Sequence, residues 1–133
     1  RGIQTTAFRF TPNELPVCAQ DPRNSMFIRY NGAVAPCINL AMGGPTTFLG
    51  KSVTMPQVQY GRLPKRGLAE IWDAKPCQFY RKLFEARTTA HEKVYIDGML
   101  RSTSNLERLE QKAKDAMPKA PRGCSVCHYL FDI

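Results

Sequence analysis

A chain of 133 residues, 43% apolar and 23% charged, has room for one domain with its own core and not comfortably for two. No run of about 18 apolar residues occurs, which excludes a membrane-spanning helix, and no secretory signal is visible, so a reducing, cytoplasmic setting is expected. Nineteen basic against eleven acidic residues leave +8, a charge that suits an anionic partner.

Residues 1–17 read as an extended entry segment, apolar from Ala7 to Phe10 and interrupted at Pro12 and Pro16. Residues 26–30 and 33–37 flank Asn31-Gly32, a pair that tolerates the two positive φ values of a type I′ turn, so a hairpin is predicted there. Pro36 has no N–H for a ladder, so the second strand is an edge or stops near it. Residues 41–66 are rich in Gly, Pro and Thr and read as loop, with one more hairpin arm near Val53–Tyr60. Leu68, Ile71 and Trp72 make the face of a short helix. Pro76 breaks it and fits only the first turn of a second helix. That helix has the stripe Phe79, Tyr80, Leu83 and Phe84, with Arg81, Lys82 and Arg87 toward water. Asp97-Gly98 reads as a turn after Val94-Tyr95-Ile96. Ser104 and Glu107 form a capping box for a third helix carrying Leu106, Leu109, Ala113 and Met117, ended by Pro118 and Pro121. The class is α+β: small antiparallel hairpins followed by helices, in one domain.

Five cysteines cannot all pair internally, and in a reducing compartment clustered thiols bind metal or do redox work. Cys124-x-x-Cys127 brings two sulfurs together, and the 26–37 hairpin returns Cys37 toward Cys18. Four thiolates from two distant segments then enclose a tetrahedral site joining the two ends of the domain. On ligand grounds such a site takes zinc or iron–sulfur. Cys77, at the start of an amphipathic helix, reads as a buried free thiol.

The pattern Cys18-x₁₃-Gly32-x₄-Cys37 resembles the first half of the auxiliary-cluster domain that follows the barrel of many radical SAM enzymes. The seven-cysteine form of that domain is called SPASM, the single-cluster form twitch. Gly32-Ala33-Val34-Ala35-Pro36-Cys37 is similar to the family's Gly-x-Val-x-Pro-Cys edge. Tyr60-Gly61-Arg62-Leu63 with Leu68-Ala69-Glu70-Ile71-Trp72 is similar to its passage into a helix. Arg81 stands where these proteins commonly carry an arginine, and Cys124-Ser125-Val126-Cys127 resembles the second cysteine pair. The seven-cysteine form has a further cysteine at the position of Ile133, so this chain resembles the single-cluster form or part of a longer protein; 88–121 is a helical insertion without a placed counterpart. The resemblance implies a 4Fe–4S cluster on Cys18, Cys37, Cys124 and Cys127, with zinc as the alternative. It implies roles in electron transfer and substrate positioning, beside a parent radical SAM barrel that binds S-adenosylmethionine and a peptide or other anionic substrate. The Cys-x₃-Cys-x₂-Cys triplet that holds the SAM-binding cluster is absent from this sequence.

The remaining polar residues carry no catalytic pattern. His128, next to Cys127, reads as an outer neighbour of the site, His91 as solvated, and Trp72 and Ile71 as core. No pair of carboxylates and no nucleophile with a base stands out. Basic residues of the third helix alternate with Glu107, Glu110 and Asp115, the mark of a solvated face, and no aromatic–basic stripe for nucleic acid is present.

Overall fold

The computed structural model describes residues 12–100 and 105–133. The apolar stretch Ala7–Phe10 and the cap at Ser104 lie outside those residues. Short antiparallel strands and helices make the α+β fold predicted from sequence. Strand β1 (Phe27–Ile28) pairs with β2 (Ala33–Ala35), Phe27 opposite Ala35 and Ile28 opposite Val34. The hairpin therefore forms, but its turn is not the expected two-residue type I′. The Arg29 N–H donates to the Ala33 carbonyl at 2.8 Å and the Gly32 N–H to the Arg29 carbonyl at 2.9 Å. Gly32 takes φ +80°, while Asn31 does not enter the positive-φ region. This is a three-residue loop, a type I turn closed by a left-handed glycine. Asn31 instead accepts the Ala33 N–H on its side-chain oxygen at 3.1 Å, a local bond typical of asparagine in turns. The Leu63 N–H donates to the Gly32 carbonyl at 2.8 Å, and any Cβ at Gly32 would overlap the Leu63 carbonyl oxygen.

Helix α1 (Ile38–Met42) follows Cys37. The type I′ turn occurs further on, within the stretch expected to be loop. Leu49 (φ 48°) and Gly50 (φ 74°) join β3 (Gly44–Phe48) to β4 (Lys51–Met55), with Phe48 opposite Lys51. Pro45 is tolerated because both strands of a two-stranded ribbon are edges. Strand β5 (Gly61–Arg62) pairs with the free side of β2, which makes β2 the centre of a three-stranded sheet that stops before Pro36. All three β2 residues are buried.

Helix α2 (Leu68–Trp72) buries Ile71, and Arg81 lies 4.0 Å over the Trp72 ring. Helix α3 (Lys75–Leu100) takes Pro76 in its first turn, as expected. Its inward face is Cys77, Tyr80, Phe84, Arg87 and Gly98, a helical repeat that leaves Phe79 55% exposed. Two expectations fail here. Asp97-Gly98 is not a turn, and Arg87 does not face water but is 1% exposed. Helix α4 (Leu106–Ala116) explains the first: a Cβ at Gly98 would overlap the Leu109 side chain, so this glycine is a crossing point of two helices. Asn105 caps α4, its side chain accepting the Arg108 N–H at 3.0 Å. Within segment 88–121, the far half of α3 up to Leu100 thus folds against α4. His91 is half-buried there against Tyr95, ring centroids 5.0 Å apart, and burial lowers its pKa, contrary to the solvated reading.

After α4 the chain makes a 3-10 turn at Cys124–Val126 and ends in α5 (His128–Phe131). The Asn13 and Leu15 N–H groups donate to the carbonyls of Phe131 (2.9 Å) and Leu130 (2.8 Å), tying the entry segment to the last helix. No described helix is long and apolar enough to cross a membrane.

Candidate metal centre

Each of the four predicted ligands sits where the chain turns. Cys18 begins a turn in which its carbonyl accepts the Asp21 N–H at 3.0 Å. Cys37 occupies the N-cap position of α1, just past the strand that Pro36 ends. Cys124 opens the 3-10 turn, and Cys127 is the N-cap of α5. Turn geometry frees backbone N–H groups, and these find the sulfurs. The amides of Gln20 and Asp21 donate toward Cys18, and those of Asn39 and Leu40 toward Cys37. The same offsets of two and three residues recur at both cysteines. The Asn39 side-chain amide donates to Cys127 Sγ at 3.4 Å, across a gap of 88 residues.

Cys18, Cys37, Cys124 and Cys127 line one small cavity, with Leu40, Met55 and Leu130 among its apolar walls. Close approach of the last segment depends on Gly123. A Cβ there would overlap Leu40 and stand 3.0 Å from Pro56 and 3.1 Å from the Met55 sulfur. Among the described residues no three His, Cys, Asp or Glu side chains converge on a single-ion position. All five cysteines are free thiols. Burial pushes the Cys18, Cys37 and Cys124 thiols up, and for Cys124 the charges of Cys37, Cys18 and Cys127 push further. The raised pKa values of Cys18, Cys37 and Cys124 favour their protonated forms in the absence of a cation, and metal binding to thiols releases protons. By its chemistry the donor set suits a soft cationic group such as an iron–sulfur cluster, and the N–H groups aimed at sulfur are what a negatively charged thiolate centre requires.

Cys77 is apart from this cavity, fully buried on α3 in the core with Tyr80 and Phe84, and burial raises its pKa. Tyr60 and Tyr80 pack edge to face at 5.8 Å in the same core; burial pushes Tyr80 to about 12, and the Tyr60 hydroxyl is buried without a hydrogen-bond partner. His128 is exposed, edge-on to Phe48 with ring centroids 5.5 Å apart.

Two contributors escaped the sequence reading. Arg87 reaches from α3 to both approaches to the cavity. Its Nη2 pairs with Glu14 Oε1 at 2.7 Å and donates to the Leu15 carbonyl at 3.0 Å; its Nε donates to the Pro16 carbonyl at 3.1 Å and its Nη1 to the Pro118 carbonyl. Glu14 to Pro16 lead into Cys18, and Pro118 leads toward Cys124, so one buried guanidinium fastens both segments. The available signal was register: Arg87 stands three residues after Phe84 and seven after Tyr80, on the buried face. Asn39 stands two residues after Cys37, and nothing local marks its side chain as a partner of Cys127.

A family model described as SPASM, an iron–sulfur cluster-binding domain, matches residues 18–128, from Cys18 to the residue after Cys127. Comparison with curated proteins and with solved structures gave no match.

Proposed function

The chain belongs to the SPASM family of iron–sulfur cluster-binding domains, and from that premise we propose that Cys18, Cys37, Cys124 and Cys127 hold a 4Fe–4S cluster. We assign the domain an auxiliary role, electron transfer and substrate positioning, beside the barrel of a radical SAM enzyme in a reducing, cytoplasmic setting. The observation that carries the ligand assignment is that these four cysteines line one cavity while Cys77 lies in the core behind it. When bound, such a group supplies one-electron chemistry. The protein's part is to hold and tune it. The amides of Gln20, Asp21, Asn39 and Leu40 and the Asn39 side chain place partial positive charge on the sulfurs, which favours the thiolate form and the more reduced state. Leu40, Met55 and Leu130 keep water from the apolar side of the cavity. Four protein ligands leave no site for S-adenosylmethionine, whose binding falls to the parent barrel, as does that of a peptide or other anionic substrate.

Anaerobic reconstitution with iron and sulfide, followed by metal analysis and an optical spectrum, tests the assignment. Serine at any of the four positions should abolish or cripple cluster assembly, and Cys77→Ser should leave it intact. Stoichiometric zinc without iron uptake would replace the cluster by the zinc alternative. Dispensability of one of the four, with Cys77 required, would overturn the ligand set.

A further inference from the structure

Beyond the cysteine cavity, a concavity of about 910 Å³ runs along an outer face of α3 beside the turn that follows Cys18. Its walls carry Arg23, Arg81, Lys82 and Lys93 against a single carboxylate, Glu85. Two of the cations are held in place. Arg23 is clamped by Asp21 at 2.7 and 3.1 Å, bonds Thr88 at 3.2 Å and lies 3.9 Å from Glu85, while Arg81 is stacked on Trp72. Lys82 and Lys93 are exposed. Helix α4 is different: its charges alternate in sign, and Lys114 is paired with Glu110 at 3.3 Å. The groove thus presents a row of cations, of which Arg81, Lys82 and Lys93 are not taken up by Asp21.

We propose that this groove docks an acidic segment of a partner polypeptide. From Arg81 to Lys93 the cations spread over about 18 Å of helix. A small anion such as phosphate could meet only one or two of them, whereas a peptide bearing several carboxylates meets the row. Nucleic acid fits less well. The groove has no aromatic wall for base stacking. Long-range attraction of this kind acts mainly on the rate of association and weakens with salt.

The test is fluorescence anisotropy with a fluorescein-labelled Glu/Ala peptide of about four helical turns, its Lys/Ala counterpart and a single-stranded RNA oligonucleotide, each at low and physiological salt. The expected result is binding of the acidic peptide alone, weakened roughly tenfold by Lys82→Glu with Lys93→Glu and less than twofold by Lys112→Glu with Lys119→Glu on the α4 side. Far-UV circular dichroism establishes that each pair is folded. An equal loss from both pairs would reduce the groove to general charge attraction and overturn the proposal. So would tighter binding of the RNA, or no binding of the acidic peptide at low salt.

Discussion

The two ends of α3 belong to different kinds of structure. Its first half, Cys77 to Arg87, is built into the core that carries the cysteines, with Tyr80 and Phe84 packed beside Tyr60, Cys127 and Leu130. Its second half leaves that core and packs on α4, with Gly98 against Leu109 and apolar Ile96, Met99 and Leu100 more than half exposed. The cysteine region is assembled from strands of two to five residues and turns, with little regular structure to stabilise any piece alone. The helical arm gains its order from local hydrogen bonds and one apolar seam. A short-element region needs cross-links between distant segments, and Arg87 stands where the two regions meet to supply one.

Breaking that junction should have the largest effect. Arg87→Met removes the buried partner of Glu14 and strands the carbonyls of Leu15, Pro16 and Pro118, at a cost of about 3–5 kcal/mol. Urea unfolding of the metal-free chain should show that loss, and iron uptake should fall although every cysteine is present. Unchanged iron uptake with full loss of stability would mean that Arg87 supports the fold without aligning the cysteines.

Next in size is a change confined to the cysteine region. Gly32→Val places a branched side chain at φ +80° and against the Leu63 carbonyl, which should cost about 2–4 kcal/mol and lower cluster loading by displacing Cys37. Equal iron content and an equal thermal midpoint would show that the hairpin does not position Cys37.

The smallest effect belongs to the helical arm. In Gly98→Ala the helix gains about 1 kcal/mol of intrinsic preference, while overlap with Leu109 costs about 1–3 kcal/mol, leaving a modest net loss. Its cluster spectrum should match that of the parent chain. A spectral change would show that the two ends of α3 are coupled, against the division drawn above. Increased stability would show that Leu109 moves aside freely.

Much of this was legible locally. Pro76 marked the second helix start, Pro36 the end of β2, and the cysteine spacing the four thiols that line one cavity. The turns were legible only in part. Asn31-Gly32 has the residues for a type I′ turn, yet Asn31 spends its side chain on Ala33 and Gly32 is held by Leu63, a partner thirty-one residues away. Leu49-Gly50 lacks the usual first residue of that turn and adopts it because five paired positions of β3 and β4 impose the twist.

The sequence by itself determined the α+β class, the likeness to an iron–sulfur domain and the chemistry of its donors, because proline, glycine and cysteine act through their own backbone or sulfur wherever they stand. Tertiary structure alone decided what Gly98, Arg87 and Asn39 do. Asp97-Gly98 reads as a turn until α4 is seen to cross there. Arg87 reads as a surface cation until the carbonyls of three distant residues and Glu14 close around it. Asn39 has no visible role until Cys127 arrives 88 positions later. A glycine's contact, a guanidinium's partners and an amide's acceptor are all supplied by chain far away in sequence, and local pattern carries no information about which segment will come to meet them.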